Sequence, residues 1–389
     1  MNKKKTVNID LKQYMMLIAL IVIFILFYVL SGGTNASPTN INNLIMQNGY
    51  VVILATGMLL CVLTGNVDLG VGSVLALAGA TAGIMMVDYG SSPVVAILAA
   101  LAVGLVAGVF AGFFIAFLDI PPFVVTLATM LMGRGLTYTF LQAQTKGPLP
   151  DSYAQIGNGF LPTVTINFGS GTLDLVCIVI AAIITVLLIF SELKTIKTNN
   201  KYGFANIKTW QLIVKDAIVI FIVWFFFYKL GSYHGIPVQL VIMAVIVGIY
   251  HFITSRTVAG RQIYALGGNA KAARLSGINT RKVFFWVYTN MGVLAAVAGI
   301  VLSARNASAT PKAGDGFELD AIGSCYIGGA AAAGGVGTII GAVVGAFVMG
   351  ILNNGMSLMG MSTDFQKVVK GIVLLGAVTF DVLSHRKKN

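Results

Sequence analysis

Apolar runs alternate with short polar stretches along the whole chain, and the runs keep returning at nearly one length. They fall near 14–30, 44–63, 69–87, 93–118, 122–141, 173–190, 212–230, 236–253, 283–303, 318–336, 338–359 and 365–383. About 17 to 25 apolar residues in a helix cross a hydrocarbon core of roughly 30 Å. The pattern therefore predicts an all-α polytopic membrane protein of ten to twelve transmembrane helices, twelve by direct count.

Two polar interruptions stand out. Residues 64–73, "TGNVDLGVGS", place Asp68 and several glycines inside an otherwise greasy stretch. A carboxylate in such a place is costly unless it is paired or hydrogen-bonded. Glycines break a helix here, and the free N–H groups at the start of the next helix suit an anion, so Asp68, Gly70, Gly72 and Ser73 form a broken-helix motif. A broken helix is tolerated where it lines a cavity or is buried in protein. Asp68 is thus a structural cap, a contact for a polar substrate, or a proton-coupling group. The second interruption is residues 254–282, which carry Arg256, Arg261, Lys271, Arg274, Arg281 and Lys282 and no acidic residue. Within it "NAKAARLSGI" predicts a short helix opened by Asn269 as N-cap. Leu275 and Ile278 among small residues suggest a knob offered to a partner; the alternative is a solvated basic connector.

Composition sharpens the class. Only 10% of the 389 residues are charged and 57% are hydrophobic, with a mean hydropathy of +0.89, whereas soluble domains carry about 25% charged residues. The net charge of +12 sits in short segments between spans, without interleaved aromatics, which argues against nucleic acid and follows the positive-inside rule. Lys3, Lys4, Lys5 and Lys12 at the amino end, Lys194, Lys197, Lys201 and Lys208 in the 191–211 loop, and Arg386, Lys387 and Lys388 at the carboxyl end all fall on one side if there are twelve spans. Both termini are then expected in the cytoplasm. The amino end has no small-residue cleavage site and reads as a span that stays.

The 45 glycines suit close helix packing in a membrane. Gly104, Gly108 and Gly112, and again Gly337, Gly341 and Gly345, recur at four-residue spacing as packing seams. "GSVLALAGA" from Gly72 echoes "GSCYIGGAA" from Gly323, which predicts an internal repeat. Cys61, Cys177 and Cys325 are scattered in apolar segments as packing residues, and neither they nor His234, His251 and His385 have metal-ligand spacing. Arg134, Asn353 and Asn354 are embedded polar residues and candidates for a translocation path. Arg134 is alternatively a side chain that snorkels outward, and the asparagines alternatively join helices. Lys367 and Lys370 are expected to anchor at the interface.

The segments "GNVDLGVGSVLALAGA", "GRQIYALGGNAKAARLSGI" and "GSCYIGGAAAAGGVGTIIGAVVGAFVMGILNNGMSLMG" resemble the membrane-spanning permease subunits of bacterial ABC importers for ribose, xylose, galactose and related monosaccharides. The length and the extra stretch near 173–235 are most similar to the xylose or multiple-sugar type. The resemblance implies a single permease domain over 1–389 in the bacterial cytoplasmic membrane. It implies that Gly267, Gly268, Asn269, Ala272, Ala273, Arg274, Ser276 and Gly277 form a coupling helix for a separate ATP-binding subunit with two cassettes. It also implies an extracytoplasmic sugar-binding protein, a permease homodimer and a monosaccharide substrate, moved by alternating access. No Gly-Lys dipeptide occurs, so the phosphate-cradling GxxxxGK[ST] motif is missing. ATP and magnesium would be used by the partner, with no cofactor bound by this chain and no catalysis on it. An ion-coupled secondary transporter using Asp68 is the rival reading, and a membrane enzyme a more distant one.

Overall fold

The computed structural model describes residues 6–7, 15–168, 171–204 and 206–386. Lys3, Lys4, Lys5 and Lys12, and Lys387 and Lys388, on which part of the topology reading rests, lie outside the described residues. The helices are α1 (Met15–Leu30), α2 (Pro38–Leu63), α3 (Val71–Val87), α4 (Pro93–Phe117), α5 (Pro122–Phe140), α6 (Asp151–Asn158), α7 (Leu175–Tyr202), α8 (Thr209–Gly231), α9 (Val238–Arg256), α10 (Val258–Gly268), α11 (Ala270–Leu275), α12 (Thr280–Asn306), α13 (Phe317–Ile327), α14 (Ile339–Leu358) and α15 (Thr363–Arg386). A short antiparallel hairpin, Thr165–Phe168 with Gly171–Asp174, precedes α7. Among the described residues, 8 helices are long and apolar enough to cross a membrane by length and composition.

Local chemistry sets many helix starts. Proline occupies the first turn of α2, α4 and α5, where its missing N–H would be unbonded anyway. Ser37 Oγ accepts from Asn40 N at 3.2 Å to cap α2. Each predicted span has a helical counterpart, with three differences. The run 318–336 is helical only as far as Ile327, because "GGAAAAGGVG" turns the chain through Gly329, Gly334 and Gly335 at positive φ. The 173–190 run continues as helix to Tyr202, so Lys194, Lys197 and Lys201 ride on the end of α7 and not in a loop. The 254–282 loop contains α10 as well as the expected short helix.

The core is built where glycine lets backbones touch. A Cβ at Gly104, Gly108 or Gly112 of α4 would collide with the α12 backbone at Gly292, Thr289 and Phe285. Gly341 and Gly345 of α14 meet the end of α13 at Gly328 and Ser324 in the same way. Gly337 lies ahead of α14 and not in a helix, so the second seam has two glycines where three were expected. Leu54, Met58, Met291 and Leu294 fill the space between α2 and α12.

These contacts reveal an inverted repeat. α2 and α12 run antiparallel, Gly57 facing Met291 and Leu294. The short helix of each half packs parallel to the long helix of the other, α3 on α12 through Gly79 and Gly299, and α13 on α2 through Cys325 Sγ, 3.5 Å from Ala55 O. The next helix packs antiparallel to the same long helix, α4 on α12 and α14 on α2. α5 and α15 then close over α3 and α13. The unit α2–α5 is thus repeated by α12–α15 with opposite sense. The sequence echo located the repeat but set it slightly out of register, since Gly72 opens α3 whereas Gly323 lies well inside α13.

Candidate functional site

The inverted repeat brings the N-terminal ends of α3 and α13 together inside the protein. Gly72, in the first turn of α3, abuts Gly314, just before α13, and a Cβ on either would strike the other's backbone. Only glycine at both positions allows this crossing. The Glu318 carboxylate stands beside Gly72. Two helix starts, each with unbonded N–H groups and the positive end of a dipole, thus converge on acidic side chains.

Asp68 is buried, and its Oδ1 accepts from Gly70 N at 2.8 Å. It therefore locks the turn that precedes α3. It does not cap the first-turn N–H groups of that helix, which was the expectation. Ser73 Oγ is buried without a hydrogen-bond partner among the described residues, and Ser73 packs on Gly133 of α5.

On the other half, three cations hold the approach to α13. Arg134 does not snorkel outward; its Nη1 donates to Pro311 O at 3.2 Å and to Ala313 O at 2.6 Å. Lys367 and Lys370 both find carboxylates: Lys367 Nζ lies 2.8 Å from Asp315 Oδ2 in a half-exposed pair. Lys370 Nζ lies 2.9 Å from both carboxylate oxygens of the fully buried Asp320. The two asparagines separate in role. Asn354 is a helix joiner, its Oδ1 accepting from Asn40 Nδ2 at 2.8 Å and its Nδ2 donating to Gln47 Oε1 at 3.2 Å. Asn353 instead faces a cavity of about 250 Å³, and its Oδ1 is buried with no hydrogen-bond partner among the described residues. Gln47, Tyr50, Arg305, Phe317 and Ser357 share that cavity.

The predicted coupling residues sit at the other end of α12. Asn269 Oδ1 accepts from Ala272 N at 2.9 Å, so the N-cap is where the sequence puts it. Ala273 is buried, while Leu275 is 83% exposed as the knob of α11. Ile278 N donates to Ala273 O at 3.1 Å, and Gly277 takes φ +84°, which closes the helix. Gly268 and Gly277 have open space around them, whereas a Cβ on Gly267 would overlap Leu63 O and approach Gly335 N. Gly335 N in turn donates to Leu63 O at 2.9 Å, and Tyr264 of α10 donates to Gly337 O at 2.7 Å. α10 is therefore seated on two places at once, Leu63 at the end of α2, directly ahead of the 64–70 segment that leads to α3, and Gly335 and Gly337 in the 328–338 segment that leaves α13, while α11 packs on α10 and α12. Ala272, Arg274 and Ser276 are exposed on and just after α11.

Sequence reasoning missed Glu318, Asp320, Tyr50, Gln47 and Arg305. Signals for three of them were present, Glu318 and Asp320 in "GFELDAIG" and Gln47 in "NINNLIMQN", each inside a predicted span, where polar groups are unusual. Cys61, Cys177 and Cys325 are buried free thiols, as expected of packing residues.

Comparison with known proteins places this geometry. The family model described as branched-chain amino acid transport system / permease component matches residues 40–194 and 176–378. The xylose transport system permease protein of Haemophilus influenzae is 36% identical over 388 residues, covering 100% of both chains. The Escherichia coli K12 protein of the same name is 35% identical, covering 98% of this chain and 94% of the relative. The ribose import permease protein of Bacillus subtilis is 35% identical, covering 90% of this chain and 86% of the relative. No solved structure matches.

Proposed function

The chain belongs to the branched-chain amino acid transport system / permease component family, and from that premise we propose that it is the translocation subunit of an ATP-driven importer for a monosaccharide of the xylose or ribose class. The chain is a transport component and not an enzyme. Nucleotide hydrolysis belongs to a separate subunit with two ATP-binding cassettes, which uses ATP and magnesium. A receptor outside the membrane delivers the sugar, and two copies of the permease form the assembly, with both termini in the cytoplasm.

One observation supports this reading: α10, which carries α11 at its end, rests on Leu63 at the end of α2, just before the segment leading to α3, and on Gly335 and Gly337 in the segment leaving α13. Force applied to the exposed Leu275 knob reaches Gly267, and Gly267 has no free space against Leu63 and Gly335. A rigid displacement of α10 must therefore push on Leu63, from which the 64–70 segment starts, and on the 328–338 segment, because packed backbones cannot absorb it by compression. Those segments set the positions of α3 and α13, so one input tilts both half-helices around their Gly72–Gly314 crossing. That is the mechanical requirement of alternating access.

The test reconstitutes the chain with its ATPase subunit and receptor in vesicles. Gly277→Arg places a bulky cation at the end of α11, and ATP hydrolysis should persist while uptake falls at least tenfold. Normal uptake by this variant contradicts the docking role. The ion-coupled rival makes a different forecast, that an imposed proton gradient drives uptake without ATP and that Asp68→Asn abolishes this.

A further inference from the structure

We propose that the half-open cavity lined by α2, α12, α13 and α14 within one copy of the chain binds a single neutral sugar ring; this rests on the permease reading above. The cavity lies at the end of α12 remote from α11, beside Arg305, and α12 is 27 residues long, or roughly 40 Å at about 1.5 Å per residue. Its floor is aromatic. The Tyr50 and Phe317 rings stack with centroids 4.1 Å apart and planes 17° from parallel.

The polar groups around this floor divide into two sets. One set is already engaged in holding helices together: Asn48 Nδ2 donates to Ala346 O at 2.9 Å, and Gln47 accepts from Asn354. The other set has hydrogen-bonding capacity that no described residue uses. The Arg305 backbone carbonyl accepts from Asn158, but its guanidinium makes no ion pair or hydrogen bond among the described residues, nor does the Tyr50 hydroxyl, and Asn353 Oδ1 is buried and unpartnered among them. A half-buried guanidinium without a carboxylate and a buried amide oxygen without a donor are each costly by about 1–3 kcal/mol or more. Water in a polar cavity is one way to meet that cost. A ligand whose groups both donate and accept is another.

Ligand charge follows from the lining. Among the described residues no carboxylate lines the cavity and Arg305 is its only cation, so a cationic ligand is repelled. An anion would satisfy Arg305 but leave Asn353 Oδ1 without a donor. A sugar hydroxyl donates to Asn353 and accepts from Arg305, since each hydroxyl has one proton and two lone pairs. The apolar face of a pyranose or furanose ring can lie on the exposed parts of the Tyr50–Phe317 pair. Phe317 is also the first residue of α13, so an occupant would rest on the half-helix that α10 displaces at its other end.

The experiment measures equilibrium binding of radiolabelled D-xylose and D-ribose to the purified full-length chain in nanodiscs, without ATPase or receptor. Saturable binding of at least one sugar is expected, weakened at least tenfold by Arg305→Gln and by Asn353→Leu and several-fold by Tyr50→Phe. Lys146→Gln, on the far side of α3, should bind as wild type. Co-purification with the ATPase subunit checks folding, and Tyr50→Phe, the mildest change, keeps the test decisive if a more drastic variant fails that check. Wild-type affinity in the Arg305 and Asn353 variants overturns the site. So does the absence of saturable binding when the assembled complex imports the sugar, an outcome that leaves the permease reading intact. Stronger competition by D-glucuronate than by the neutral sugars overturns the neutral-ligand assignment. Failure of the wild-type complex to import any monosaccharide overturns the permease reading itself.

Discussion

Replacing Lys370 by Met removes the cation from the ion pair that anchors α13 to α15. The Asp320 carboxylate is 0% exposed and the Lys370 side chain 16%, with Nζ 2.9 Å from the carboxylate. At an effective dielectric constant of about 20, two unit charges at that separation attract by about 6 kcal/mol. Desolvation of the two ions costs several kcal/mol each, so the intact pair contributes little net stability. The single substitution is different, because desolvation of Asp320 remains while the attraction vanishes, and breaking a buried pair costs about 3–5 kcal/mol. Asp320 lies in the first turn of α13, where the helix dipole offsets up to about 2 kcal/mol, so the lower end, about 3 kcal/mol, is expected. Equilibrium unfolding of the purified chain in mixed detergent micelles measures it. Restoring neutrality with Asp320→Asn in the Lys370→Met background should bring stability back to within about 1 kcal/mol of wild type, since a neutral amide is far cheaper to bury. A single variant as stable as wild type, or a double variant less stable than the single, refutes the reasoning.

Three further outcomes are expected. Gly267→Ala should abolish ATP-driven uptake while the chain still inserts, because its methyl overlaps Leu63 O; uptake at the wild-type rate in vesicles would show that α10 is not seated as described. Asn354→Leu removes the partners of Asn40 and Gln47 and should destabilise by about 2 kcal/mol from the amides left unpaired, read in the same unfolding assay. The hydrogen bond from Lys367 holds the Asp315 carboxyl below its ordinary value despite some opposing burial. Its folded pKa is thus below its unfolded pKa, so the pair's small contribution is present above about pH 4 and is lost as pH falls through the folded value. Lys367→Gln should therefore flatten the acid limb of a stability-versus-pH curve and leave neutral pH almost unchanged.

The sequence by itself determined what depends on neighbours along the chain. The positions of most helices follow from apolar runs, the cap at Asn269 from a side chain three residues from its donor, and the break before Gly70 from glycines that cannot hold a helix. The Leu275 knob was legible for the same reason. Tertiary structure alone decided which face of each helix meets protein, since lipid is as apolar as a core and hydropathy does not distinguish them. It therefore also decided the destinations of Arg134, Lys367 and Lys370, whose partners lie 177, 52 and 50 residues away. A charged side chain within a span must find a counter-charge or a carbonyl wherever the fold supplies one, and only the inverted packing of α2–α5 on α12–α15 brings those groups, and the walls of the Arg305 cavity, within reach.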